Sequence, residues 1–138
     1  MSTDLVKFTV DLVSAWNDHD ITRILTFYAE DYYGEDVSQA TPIQGHHGVE
    51  HAFRAVLGAF PDLRITEREL VTQENRVAVA WTLQGSQQGM VMNIPPTGRR
   101  ISVRGGSFYA LDHGKIAQGI QIWDVAGLLR AIGLLPDL

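Results

Sequence analysis

Two groups of side chains in this sequence have types and spacings that could do chemistry. His46, His47 and His51 stand close together, and His47 and His51, four residues apart, could share a helix face as paired metal ligands do. The zinc-protease spacing is missing, because Gly48 follows His47, and no third ligand is near. The expectation is one histidine capping a loop, two exposed and no metal. Glu35 and Asp36 follow Tyr33 in a polar stretch and offer carboxylates for proton transfer, although acids in a surface loop are equally a product of solvation. The absence of cysteine removes thiolate nucleophiles, disulfides and cysteine-ligated metals together. Glycine-rich dinucleotide and Walker patterns are missing, so a nucleotide is not expected. Gly105-Gly106 reads instead as a bulge or strong bend in a strand.

The elements that must position these groups follow from periodicity. Leu5, Phe8, Leu12, Val13 and Trp16 form one apolar stripe of a first helix, and Asp20 caps a second, short one whose apolar face is Ile24, Leu25, Phe27 and Tyr28. From Glu30 to Gly48 periodicity fails and Gly34, Pro42, Gly45 and Gly48 predict a loop region carrying Tyr32, Tyr33, Glu35 and Asp36. A third helix buries Val49, Ala52, Phe53, Val56, Leu57 and Phe60 and stops at Pro61. Strands follow at 63–71, 77–83, 90–94, 101–111 and 115–123, in an antiparallel meander separated by turn residues. A short terminal helix holds Val125, Leu128, Leu129 and Ile132. Helices first and an antiparallel sheet second is an α+β pattern, with helices on one sheet face. The last strand is apolar on both faces, Ala117 and Trp123 on one and Ile116, Ile120 and Ile122 on the other. A homodimer is the simplest cover for the second face.

Composition sets the limits. The 138 residues, 45% hydrophobic and 20% charged with a net charge of −5, predict a single domain spanning 1–138 with a real core. An acidic chain whose eleven basic residues are scattered, apart from Arg99-Arg100, lacks the footprint of a nucleic-acid binder. No apolar run approaches the length of a membrane span, and the first residues lack the pattern of a secretory signal, so the expected location is the cytoplasm.

Several segments, in order and spacing, resemble the SnoaL-like polyketide cyclases of the nuclear transport factor 2-like superfamily. They are Gly45-His46-His47-Gly48, Phe60-Pro61-Asp62-Leu63, Trp81-Thr82-Leu83-Gln84-Gly85, Pro95-Pro96-Thr97-Gly98-Arg99, Gly114-Lys115-Ile116 and Trp123-Asp124-Val125-Ala126-Gly127-Leu128-Leu129. The resemblance covers nearly the whole chain. It implies a cone-shaped, cystatin-like α+β fold in which N-terminal helices pack on a curved, mostly antiparallel sheet and enclose a cavity. It also implies a small apolar or aromatic ligand held without cofactor or metal, and an intramolecular aldol closure in which a carboxylic acid exchanges a proton with the substrate.

That carboxyl group is missing from its place. In the family the aspartate lies seven residues after the glycine of the Gly-Lys-Ile turn, and here that position is Gln121. The histidine often found two residues earlier is Gly119, and the histidine of the neighbouring strand is Ser107. Gln121 and Ser107 can hydrogen-bond a carbonyl or phenol but cannot act as an acid or base near neutral pH. The resemblance thus marks Gln121 as the occupant of the catalytic position; Asp36 or Glu35, following Tyr33 at the expected cavity mouth, could replace the missing acid or be ordinary surface acids. Tyr33, Glu35, Trp81, Ser107, Tyr109 and Trp123 are the expected pocket. Tyr109 suits pocket or core, and Trp81 and Trp123 suit an aromatic wall or a core. Non-catalytic binding and hydroxylase-like or isomerase-like chemistry are the alternatives to cyclisation.

Overall fold

The computed structural model describes residues 2–137. Helix α1 (Ser2–Asn17) buries Leu5 and Leu12 of the expected stripe, and Thr9 and Ala15 beside it. After His19, at φ 56°, the Asp20 carboxylate accepts from Arg23 N at 3.1 Å and starts α2 (Ile21–Leu25). Strand β1 runs from Tyr28 to Asp36 and β2 from Ile43 to Gln44. Helix α3 (Gly45–Ala59) buries Val49, Phe53 and Ala59 and ends at Phe60 before Pro61. Strands β3 (Arg64–Gln73), β4 (Arg76–Ser86), β5 (Arg100–Asp112) and β6 (Lys115–Trp123) follow. Helix α4 (Val125–Ala131) starts where Asp124 accepts from Gly127 N at 2.8 Å.

The six strands form one sheet in the order β2-β1-β6-β5-β4-β3. All neighbours are antiparallel except β1 and β6, which run parallel. The helices cover one face of this curved sheet, as the α+β pattern requires. Two apolar clusters lie between the layers. One joins Leu5, Leu12 and Phe53 of the helices to Val77, Val79 and Tyr109, and the other joins Ala59, Phe60 and Leu128 to Ile101 and Val103. The opposite face leaves Phe108 45% and Ile122 49% exposed, with Val71 and Ile120 also open.

Three sequence expectations need correction. The segment read as a loop contains β1 and β2, and Tyr28 begins β1 rather than extending α2. Its polar side chains hide the strand, which is fixed by pairing with β6 far along the chain. Residues 90–94 are not a strand but a tight turn: Val91 and Ile94 bridge each other around Met92 and Asn93, both at positive φ. Gly105 and Gly106 carry no bulge, since the pairing of β5 runs unbroken through both. The irregularities lie elsewhere, between Ala110 and Leu111 further along β5 and at Arg68 in β3.

Candidate functional site

Pairing across the sheet sorts the inward-facing side chains into rows, because residues in register share a face. Glu67, Trp81, Gly105 and Trp123 form one row. Leu70, Val79, Ser107, Gln121 and Asp36 form the next, followed by Thr72, Val77, Tyr109, Gly119 and Gly34. Trp81 packs against the first apolar cluster and Trp123 against the second, so the first row follows the seam between them. Both indoles, Glu67 and Gln121 keep some accessible surface although they sit beneath the helices.

The middle of this face is polar and closed on itself. Trp81 Nε1 donates to Ser107 Oγ at 2.9 Å, Ser107 donates to Gln121 Oε1, and Gln121 Nε2 donates to the Tyr109 hydroxyl at 3.0 Å. The amide acceptor and serine donor are thereby used within the protein. One Gln121 Nε2 hydrogen is left over in this chain, while the buried Tyr109 hydroxyl also meets that of Tyr28. Gly105 is a glycine for a steric reason: a Cβ there would collide with the Trp81 ring, which lies across it.

Gly119 has a similar explanation. A Cβ at this position would collide with the hydroxyl of Tyr32, which also leaves no room for a side chain at Gly34. The phenol therefore fills the space that a side chain at Gly119 would need. Tyr28 stacks edge-on to Tyr32, with centroids 5.0 Å apart, and faces Tyr109 at 6.5 Å. Burial, reinforced by the neighbouring phenols, pushes the pKa of Tyr28 well above its ordinary value and raises that of Tyr32 as well.

Of the residues expected at the site, Gln121, Ser107, Tyr109, Trp81, Trp123 and Asp36 share the helix-covered side. Asp36 is occupied: its carboxylate accepts from Trp123 Nε1 at 2.9 and 3.1 Å, and from Ser38 N and Oγ at 2.8 and 2.6 Å. Tyr33 and Glu35 alternate to the other side. There they line a surface hollow of about 460 Å3 with Val71, Phe108 and Ile120, away from Gln121. The reason is strand parity, which the loop reading did not supply. Two residues were not singled out in the sequence. Tyr32 lay in the presumed loop, and Glu67 lay unremarked within the strand expected at 63–71. Its parity with Ile65 is the signal that places it inward.

The histidines are explained without chemistry. His46 Nε2 hydrogen-bonds the Tyr28 carbonyl at 2.7 Å and ties α3 to β1, while His47 and His51 are exposed. Among the described residues no three His, Asp or Glu side chains are grouped to hold a metal ion, and no helix is long and apolar enough to cross a membrane.

Known proteins match this architecture. The SnoaL-like polyketide cyclase family model matches residues 4–132. The structure of AclR, a proposed hydroxylase from Streptomyces galilaeus, is similar with a TM-score of 0.89 and 25% identity, covering 100% of this chain and 90% of that one. A proposed SnoaL-like polyketide cyclase from Jannaschia sp. CCS1 gives a TM-score of 0.87 at 18% identity, covering 97% and 94% of the two chains. TerC, co-crystallised with polyporic acid, gives 0.73 at 18% identity and covers 92% and 96%. No curated protein matches the sequence. With a family model spanning almost its entire length, the chain belongs to the SnoaL-like polyketide cyclase family.

Proposed function

We propose that this protein holds an aromatic or polycyclic small molecule against the Trp81–Gly105–Trp123 row and promotes a ring-forming step by positioning it, without cofactor or metal. The observation that carries this reading is the Trp81–Ser107–Gln121–Tyr109 chain at the position of the family's carboxylate. A flat floor with a few fixed polar groups is what small-molecule sites contain, and orientation alone can supply much of an intramolecular reaction's acceleration. Binding of polyporic acid by TerC supports a ligand of this class. The likeness to AclR favours hydroxylation as a second reading, and binding without turnover is the third. In this proposal the protein works in the cytoplasm as a homodimer, with the exposed Phe108, Ile120 and Ile122 face between the two copies.

The test is Gln121→Asp, which returns a carboxyl group to the family's position. With anthraquinone-type esters as substrates, the variant is expected to gain ring-closing activity that the wild type lacks or performs more slowly. An inert variant beside a wild type that binds the same esters shifts the assignment to binding or hydroxylation. A wild type that binds none of them removes the reading.

A further inference from the structure

We propose that the apolar edge formed by Met90, Met92, Leu134 and Leu135 is a docking surface for an acidic amphipathic helix of another protein. These four side chains are 59%, 45%, 54% and 40% exposed and belong to none of the strand rows. They lie on two segments, a strap at 87–99 between β4 and β5 and a tail at 133–137 after α4. Val91 and Ile94 of the strap pack in the same apolar cluster as Leu129 and Ile132 at the end of α4. The segments meet again where the Arg99 guanidinium lies against Gly133, close enough that a Cβ there would touch it. The tail folds back through Leu134 N, which donates to the Leu129 carbonyl at 2.8 Å.

The strap holds its tip out on a fixed base. Gln87 is fully buried and uses its amide inside the loop: Nε2 donates to the carbonyls of Gly89, Ile94 and Pro95 at 3.3, 3.3 and 3.1 Å, and Oε1 accepts from Thr97 N and Oγ1 at 3.1 and 2.7 Å. Gln88 N and Gly89 N both donate to the Ala59 carbonyl, at 2.9 and 3.2 Å, and tie the strap to the end of α3. At the tip, Met92 and Asn93 take φ of 51° and 63° in the two-residue turn between Val91 and Ile94. Such turns favour Asn-Gly, because a residue with a Cβ is strained at positive φ. Methionine here costs stability, and its exposed side chain gains little packing within the chain to offset that cost. An apolar group presented outward on a rigid base is already arranged for a partner.

Charge and composition select the partner. Among the described residues Arg99 and Arg130 make no ion pair, whereas Arg100 is held by Asp62 at 3.6 Å. Arg99 and Arg130 flank the edge and outnumber the tail's Asp137, on a chain whose net charge is −5. Carboxylates on the partner would complete both guanidiniums. Residues 88–99 and 130–137 contain methionine and arginine but no lysine or glutamate, which is the bias of a protein interface. They also lack tryptophan and tyrosine, and the net negative charge opposes an anionic bilayer, so a lipid surface fits less well. Two short segments in contact make a strip, and a single helix about 10 Å across, apolar on one face and acidic beside it, matches a strip. This surface is independent of the aromatic-ligand reading, and either can fail without the other.

The experiment measures binding of the folded protein to a synthetic, fluorescently labelled helix of about 18 residues, with leucine on one face and glutamate on the other, and to the same peptide with glutamine for glutamate. Anisotropy is expected to show the wild type preferring the glutamate peptide by about threefold or more, a preference that fades as salt screens it. Arg99→Gln together with Arg130→Gln should erase the preference. Met90→Ser together with Met92→Ser should weaken binding of both peptides about tenfold without lowering the melting temperature. Met92→Asn with Asn93→Gly relaxes the turn, so this variant should melt about 3 °C higher and still bind more weakly than the wild type. A wild type that does not bind the glutamate peptide, or serine variants that bind it as tightly as the wild type, overturns the proposal. Binding to phosphatidylglycerol vesicles that the serine variants lose, with none to the peptide, assigns the edge to a lipid surface and overturns it too.

Discussion

Ser107 and Gln121 should be energetically coupled, and the size of the coupling follows from their partners. Ser107→Ala deprives the Trp81 N–H of its acceptor and Gln121 Oε1 of its donor. Each unsatisfied group costs roughly 1–3 kcal/mol, and because both partners are only half-buried the low end applies, giving about 2 kcal/mol in all. Gln121→Leu frees the Ser107 hydroxyl and removes the donor to Tyr109, at a similar cost of about 2 kcal/mol. The double variant loses the Ser107–Gln121 bond once rather than twice, so it should cost about 2–3 kcal/mol instead of about 4. Unfolding entropy for 138 residues is about 0.3 kcal/mol/K, so each single variant should melt about 7 °C lower. Urea titrations followed by tryptophan fluorescence and by circular dichroism give the cycle. Costs that add to within about 0.5 kcal/mol would refute the closed network, as would a harmless Ser107→Ala.

Gly119→Ala should destabilise by about 1–3 kcal/mol through overpacking against Tyr32, and Tyr32→Phe should recover much of the loss by removing the hydroxyl in the way; thermal melts of the three variants decide it. Tyr28 and Tyr32 have folded pKa values raised above the unfolded value of about 10. The unfolded chain therefore loses these protons first, the stabilisation is complete below about pH 10, and it disappears as pH rises through the folded values. Absorbance at 295 nm should show these two phenols ionising only when the protein unfolds, and urea midpoints should fall between pH 9 and 11. If the face bearing Phe108 and Ile122 is covered by a second copy, Ile122→Glu should shift sedimentation from dimer to monomer while leaving the fold intact. A wild type that sediments as a monomer refutes that interface.

The sequence carried the local part of this structure well. The stripe of α1, the Asp20 cap and the alternation of Val77, Val79 and Trp81 are short-range patterns, and each is present in the fold. β1 could not be read in the same way. It has acids at Glu30, Asp31, Glu35 and Asp36, its register shifts between Tyr28 and Tyr33, and its long partner β6 lies far along the chain. The same error decided the fate of Tyr33 and Glu35, since a strand assigns alternate residues to opposite faces and a loop does not. Resemblance singled out Gln121 and Ser107, but the hydrogen bonds that join them depend on Trp81 and Tyr109, whose rotamers no spacing reveals. The irregularity after Glu67 was hidden as well, and it is what brings Leu70 rather than Glu69 to the inward face.

The parallel seam between β1 and β6 also makes this side of the molecule depend on long-range closure. Asp36 and Trp123 meet across 87 residues of chain, so that side of the face joins segments that a short stretch of sequence cannot bring together. Contacts of such long range form slowly, because the chain must lose much of its freedom before they repay it. A partly folded chain can own the α1 helix and the β3–β4 hairpin and still have no far wall against which to hold a ligand. Substitutions that weaken the β1–β6 seam should therefore slow refolding more than substitutions of equal cost in the β3–β4 hairpin, as stopped-flow fluorescence would show.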